Sequence, residues 1–330
     1  MFRSSLATEM RSYIELRTGI LSRGTVSNDR RSLSLLDHYL VSQNFTGKEL
    51  TEEILHGWIL TLSGKSKTVK EKIGAVRCFI QYLNSLGCHS SFLPDNPKVK
   101  SDYIPYIFSD QEFQQIIYYA DHLGVLFPHN CCAKYPVIVP MVIRILYGCG
   151  TRLGETMSLQ RMDIDFANGT LLLRNTKYSK ERMIPVHDSL LAILERYCFA
   201  LGIMDKPEAF IFPGQKAGTH YSSRNVDDWF AKILKLADID QRNKQRYERG
   251  ACLHCFRHLF VLKSMQQLEL AGRPVDMNDL LLPTYLGHKC LLDTDKYMRF
   301  SGVLLPDSLD AFENFTSGLI PEVEVPYEEE

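Results

Sequence analysis

The stretch YGCGTRLGE, residues 147–155, joins two kinds of sequence. Ahead of it, residues 140–147 form an apolar run with helical spacing. Within it, Gly148, Cys149 and Gly150 interrupt that run and deliver the chain to a cation, Arg152, with Glu155 three residues on. Glycine just past an apolar helix is a stop signal. Beyond it, residues 163–186 read as strands: Gly169 turns the chain into TLLLR (170–174), and MIPV (183–186) follows a polar turn containing Lys177 and Lys180. Helices dominate the remainder, over 188–200, 222–237, 254–270 and 276–286, and no internal repeat is present.

Towards the N-terminus, Ser109 and Glu112 in SDQE make a capping box that opens a helix through Ile116, Ile117 and Tyr119. Before that, PDNPKVKSDYIP carries Pro94, Pro97 and Pro105 in a polar setting and reads as an interdomain linker. Residues 1–93 read as short helices joined by polar turns. The clearest runs from Ser66 to Leu86, where Val69, Ile73, Val76, Ile80, Leu83 and Leu86 recur at spacings of three and four and Gly87 ends the run. Lys65, Lys67, Lys70, Lys72 and Arg77 lie off that stripe, as on a helix lying along a phosphate backbone, or on a merely solvated face.

The chain has 330 residues, 45% of them hydrophobic, enough for two domains and a sizeable core. No stretch approaches a membrane span of about 20 apolar residues, and MFRSSLATEMRSYIELR lacks a signal peptide's apolar centre. A cytoplasmic protein is expected. Nine cysteines, Cys131 and Cys132 adjacent, argue against a secreted disulfide framework. Cys252 and Cys255 have CxxC spacing with His254 and His258 nearby, but no second CxxC or HxxxH follows at finger spacing, so reduced buried thiols are the reading and no metal is expected. The net charge of −1 hides an uneven distribution. Residues 1–100 carry 14 Lys and Arg against 9 Asp and Glu, residues 101–305 carry 24 against 22, and all 8 charges of 306–330 are acidic. An acidic tail masks a mildly basic body, which suits a nucleic-acid partner.

Outward from Arg152 lie five more polar residues: Lys177 in NTKYSKERMIPV, His254 and Arg257 in LHCFRH, His288 in YLGH, and Tyr297. Two guanidinium groups, two imidazoles, an ammonium and a phenol suit attack on a phosphodiester through a tyrosine. Charge grows on the nonbridging oxygens in the pentacoordinate transition state, and a guanidinium presents a permanent, planar fork to two oxygens at once. Tyr297 is the candidate nucleophile. Only about 0.1% of a free tyrosine is ionised at pH 7, so it needs a base, for which His254 is the candidate, with His288 hydrogen-bonding the phosphate. Lys177 is placed to protonate the departing 5′ oxygen. His254 and Arg257, three apart, are expected on one face of a helix; His258 is read as packing or capping, and Tyr285 as core.

YGCGTRLGE, TKYSKERMIPV, LHCFRH, YLGH and DTDKYMRF resemble the successive catalytic boxes of the tyrosine recombinases, also called phage integrases. That family has an Arg in a G-x-R-x-x-E-like turn, a hairpin Lys often followed by K-E-R-x-x-P, an HxLRH box, and an LGH box nine residues before the tyrosine; here His288 and Tyr297 are nine apart and KERMIP occupies 180–185. Phe256 stands where the family usually has Leu. The resemblance implies catalytic roles for Arg152, Lys177, His254, Arg257, His288 and Tyr297, and a supporting role for Glu155; Lys180 rivals Lys177. It implies a mainly α fold with a small antiparallel sheet, in a two-domain architecture. A helical core-binding domain (1–93) and linker (94–106) would precede an α+β catalytic domain (107–302), the two closing on duplex DNA as a C-shaped clamp. The tail, 303–330, with Leu305, Leu309, Phe312 and Phe315 spaced for a helix, would contact a neighbouring protomer.

The resemblance further implies a site-specific DNA recombinase that needs no cofactor and has no arm-binding domain. It would work through a 3′-phosphotyrosine and a Holliday junction, as a tetramer on two inverted-repeat core sites, for integration or excision of a mobile element. Accessory recombinases or a directionality factor would be further partners. Xer-like dimer resolution and a DNA-binding assembly subunit are the alternatives. A type IB topoisomerase shares the chemistry but not the exchange of partners, and a helical scaffold without DNA has only the near-neutral net charge in its support.

Overall fold

The structure, a computed structural model, describes residues 2–88, 90, 92–99, 105–128, 134–174, 181–239, 250–270 and 281–287. The chain divides into two compact units, Met1–Tyr103 and Ile104–Glu330.

The first unit is built from α1 (Ala7–Ile20), α2 (Arg23–Ser42), α3 (Glu52–Leu60) and α4 (Ser66–Ser85). The helix expected over Ser66–Leu86 is α4, ending one residue earlier, while α2, also of 20 residues, is longer than the short helices expected. Ser22 caps the polar start of α2 through the Thr25 amide, and Val26, Leu33, Leu36 and Leu40 keep one buried stripe along it. On α4 the buried stripe is Ile73, Val76, Phe79, Ile80 and Leu83. Leu86, expected in that stripe, is instead the C-cap and 54% exposed, because the Cys88 amide folds back onto the Leu83 carbonyl (3.1 Å) and swings Leu86 outward. Asp37, buried on α2, accepts from the amides of Arg3 and Ser4 at 2.9–3.0 Å and so fixes the start of the chain to this core.

In the second unit, α5 (Asp110–Asp121) opens on the expected capping box: Ser109 Oγ accepts from the Glu112 amide (3.1 Å) and Glu112 Oε2 from the Ser109 amide (2.7 Å). After α6 (Leu123–Leu126) comes α7 (Tyr135–Cys149), which starts earlier than the Pro140 of the apolar run because Pro136 fits a first helical turn. With Ile138, Val139, Val142, Ile143 and Ile145 fully buried, α7 is apolar round most of its circumference and serves as the axis on which the other helices pack.

Next come α8 (Leu153–Met157), a 3-10 turn (Arg161–Asp163) and strands β1 (Ile164–Asp165), β2 (Thr170–Leu173) and β3 (Arg182–Pro185) in an antiparallel sheet of order β1-β2-β3. The register pairs Ile164 with Leu171, Leu171 with Ile184 and Leu173 with Arg182. Leu171, Leu173 and Ile184 face inward. Among the described residues α9 (Asp188–Ala200), α10 (Ser223–Leu236), α11 (Cys255–Leu270) and α12 (Leu281–Leu286) complete the unit, and α5, α8, α9, α10 and α11 pack on α7. Thus the described residues are mostly helical with one small antiparallel sheet, as expected. No helix among them is long and apolar enough to cross a membrane. The expected tail, 303–330, lies outside the described residues.

Candidate active site

Arg152 is the residue at which α8 starts, and Glu155 is the third residue of that helix. A glutamate at that position reaches back to the amide at the helix start: Glu155 Oε2 accepts from the Arg152 N–H (3.0 Å), and Oε1 from Arg152 Nη1 (2.6 Å). From β3, Arg182 closes on the same carboxylate, Nη2 to Oε2 at 2.9 Å and Nη1 to Oε1 at 3.2 Å. Burial by itself would raise the Glu155 carboxyl, but the hydrogen bonds from Arg182, with those from Arg152, hold it down to about 2. Glu155 is therefore a buried anion between two guanidinium groups. Arg152 keeps 29% of its side chain exposed and Arg182 only 13%, so the first is available to a ligand while the second is committed to the protein.

Arg257, in the first turn of α11, is 1% exposed. It donates through Nη1 to the Gly150 carbonyl and through Nη2 to the Leu286 carbonyl, both at 2.8 Å. Those carbonyls stand two residues ahead of Arg152 and two ahead of His288, so one buried guanidinium fixes the approach to both boxes. Gly150 has φ 57°, and a Cβ there would lie 2.4 Å from Phe260 Cδ1. Phe260 stacks on Tyr285 (centroids 5.3 Å, planes 17° apart), whose hydroxyl donates to the Cys149 carbonyl (3.1 Å). The Tyr285 carbonyl accepts from Arg182 Nε (2.9 Å). Tyr285 is thus packed in this unit as read from the sequence, and burial raises its phenol far above the ordinary range.

His254 is exposed and lies in the turn before α11, not within a helix that starts at residue 254. The Cys255 amide closes this turn on the Cys252 carbonyl (2.9 Å) and the Arg257 amide returns to the His254 carbonyl (3.1 Å). The HxxR spacing is therefore that of a turn leading into a helix rather than of one helical face, and it leaves the imidazole outside while the guanidinium goes in. His258 meets His254 edge to face (5.0 Å, 84°), and burial, then the charges of His254 and Arg257, lowers its pKa to about 4. Cys252 and Cys255 are reduced thiols, not a disulfide, with sulfurs 3.6 Å apart, and among the described residues no group of three His, Cys, Asp or Glu is placed to hold a metal.

Arg152, Glu155, His254 and Arg257 are thus described, while Lys177, its rival Lys180, His288 and Tyr297 lie outside the described residues. The residue that sequence reasoning passed over is Arg182. Its signal was available: on a strand, Arg182 and Ile184 share a face, and Ile184 is inward. An inward cation requires an acid. In the first unit, Lys67 is exposed on α4 and Lys65 at its N-cap; Lys72 donates to the Ser63 carbonyl (2.8 Å), and Arg77 binds the carbonyls of Leu93 and Pro94.

The sequence model of the phage integrase family matches residues 110–300, more than half of the chain and the whole span from Arg152 to Tyr297. The chain belongs to this family. Members are tyrosine-type site-specific recombinases, and the recombinase has relatives along nearly its whole length. The integrase/recombinase y4rE of Sinorhizobium fredii is 26% identical, covering 92% of this chain and 94% of its own. Tyrosine recombinase XerA of Saccharolobus solfataricus is 24% identical over 76% and 74%. Among solved structures, XerH site-specific recombinase bound to palindromic difH substrate superposes with a TM-score of 0.67 at 18% identity, covering 94% of this chain and 85% of that one. A lambda integrase dimer bound to a COC′ core site gives 0.61 at 16%, covering 87% and 96%. These likenesses establish the tyrosine recombinase fold for the recombinase.

Proposed function

We propose that the recombinase cuts and rejoins duplex DNA at specific sites through a phosphotyrosine on Tyr297, and exchanges strands by way of a Holliday junction to integrate or excise a mobile element. The observation that carries this reading is the shared anchoring of the boxes: Arg257 bonds the backbone just ahead of Arg152 and just ahead of His288, and Arg182 bonds Glu155 and the Tyr285 carbonyl. Separate motifs of the chain are in this way tied into one structure that can converge on one phosphate.

In this reading Tyr297 Oη forms a bond to phosphorus as the P–O5′ bond breaks, leaving a 3′-phosphotyrosyl strand and a free 5′ hydroxyl. The phenol proton goes to His254, and Lys177 protonates the departing 5′ oxygen. Arg152 and Arg257 offset charge on the nonbridging oxygens, and His288 donates a hydrogen bond to them. Replacing Arg152 by Ala should slow cleavage on the order of 100 to 1000-fold. The helices of 1–93 with Lys65, Lys67, Lys70, Lys72 and Arg77 would hold the duplex, two protomers to a site and four to a synapse, and 303–330 would join neighbouring protomers.

Incubation with a nicked duplex bearing candidate element ends should trap a covalent protein–DNA adduct, and Tyr297→Phe should abolish it. An adduct that persists in Tyr297→Phe would remove Tyr297 as nucleophile. The likeness to XerA and XerH favours a second reading, resolution of dimers between directly repeated sites. Scoring deletion against intermolecular joining on plasmid substrates separates the two.

A further inference from the structure

From the geometry of β3 we infer that Arg182 is a positioning residue for strand cleavage, acting through Glu155 on Arg152 and through the Tyr285 carbonyl on the backbone that leads to His288. This rests on the phosphotyrosine reading and goes beyond it. The guanidinium spends donors on all three acceptors: Nε on Tyr285 O at 2.9 Å, Nη2 on Glu155 Oε2 at 2.9 Å and Nη1 on Glu155 Oε1 at 3.2 Å. The last two are the paired geometry in which arginine fixes a carboxylate in orientation as well as place. Glu155 in turn holds both the backbone amide and Nη1 of Arg152. Loss of Arg182 therefore frees the carboxylate that aims Arg152.

The other end of the contact is equally tight. Gly287, φ 67°, lies against the Arg182 side chain, and a Cβ there would sit 3.1 Å from Nη1 and 3.3 Å from Cδ. A glycine in the LGH box is thus what lets the guanidinium reach past the end of α12 to the Tyr285 carbonyl. Because β3 is also the strand entered from the segment carrying Lys177, one side chain links that segment, the first arginine and the approach to His288. Arg182 Nε, Nη1 and Nη2 each donate to a protein acceptor, which makes its role one of positioning.

The test compares single-turnover cleavage by wild type, Arg182→Lys, Arg182→Met and the double variant Arg182→Met/Glu155→Gln, which carries no unpaired buried carboxylate and so keeps the fold testable. Each is run on a phosphodiester and on a methylphosphonate at the cleavage position, where the linkage is neutral and needs less help from a guanidinium. Misplacement of Arg152 should slow cleavage of the phosphodiester about 10- to 100-fold in every variant, Lys included, since an ammonium cannot serve three acceptors in one plane. DNA affinity should stay within about twofold, and the defect should shrink on the methylphosphonate. Equal losses on both substrates would show a general structural role and overturn the inference, as would cleavage at the wild-type rate. A wild type that forms no adduct on the phosphodiester would instead sink the phosphotyrosine reading itself.

Discussion

Arg257 holds its position by hydrogen bonds to two backbone carbonyls, and that choice of partners decides what its loss does. A carbonyl has no protonation state with which to adapt, so removing the guanidinium strands both the Gly150 and Leu286 oxygens inside the protein. At about 1–3 kcal/mol for each buried group left unpaired, Arg257→Met should lower the unfolding free energy by several kcal/mol as well as cripple cleavage, whereas Arg152→Ala, at a partly exposed position, should slow cleavage on the order of 100 to 1000-fold with much less effect on stability. Denaturant titration beside an adduct assay checks this, and equal stability losses would disprove it. Acid should act in two stages. His258, whose pKa falls to about 4 in the fold, binds a proton more readily when unfolded, so its contribution is lost as pH falls from its ordinary 6.5 towards 4. Glu155, held at about 2 against an ordinary 4.5, contributes fully above 4.5 and loses that contribution as pH falls towards 2. Glu155→Gln should flatten the second stage, by up to about 1.4 kcal/mol per pH unit, and His258→Gln the first. Urea midpoints measured from pH 7 to pH 2 check both, and unchanged slopes would refute them.

At the scale of elements, the turn between α7 and α8 is the joint on which the site is assembled. Gly150 takes a left-handed φ of 57° under the Phe260 ring, so Gly150→Ala adds backbone strain and a 2.4 Å contact at once. Because the Gly150 carbonyl is also an Arg257 acceptor, the change should cost about 2 kcal/mol or more of stability and reduce cleavage further than that loss explains. A variant with wild-type midpoint and cleavage rate would count against the joint. Much of this was legible beforehand. The apolar run into YGCGTRLGE marked α7, SDQE marked the start of α5, and TLLLR with MIPV marked the sheet, because each rests on local signals of period, cap or turn. What was not legible depended on partners far along the chain. Arg182 is 27 residues from Glu155 and 103 from Tyr285, and nothing local to KERMIP says which acceptors it will meet. The turn at His254 was missed for a related reason, since HxxR has the same spacing on a helix and on the turn that enters one.

At the scale of the molecule, each unit has its own core: Leu33, Leu36, Trp58, Phe79 and Ile80 are fully buried in the first, and Ile138, Val142, Leu171 and Phe256 in the second. Residues 1–103 should accordingly fold alone and unfold cooperatively, which circular dichroism on that fragment would show; a non-cooperative melt would count against it. The charge is shared less evenly than the packing. The final 25 residues contribute 8 acidic groups and no basic ones, so ending the chain at residue 305 takes the formal net charge from −1 to +7. If those glutamates and aspartates screen a basic body from phosphate, the shortened protein should bind non-specific duplex about threefold or more tightly at about 50 mM salt, and the gap should close as the Debye length shrinks at higher salt. Filter binding across a salt series on both proteins measures it. A shortened protein with unchanged affinity at low salt would mean that the acidic end stays clear of the DNA-facing charge; a gap that persists at high salt would mean that it blocks the surface by contact and not by its field.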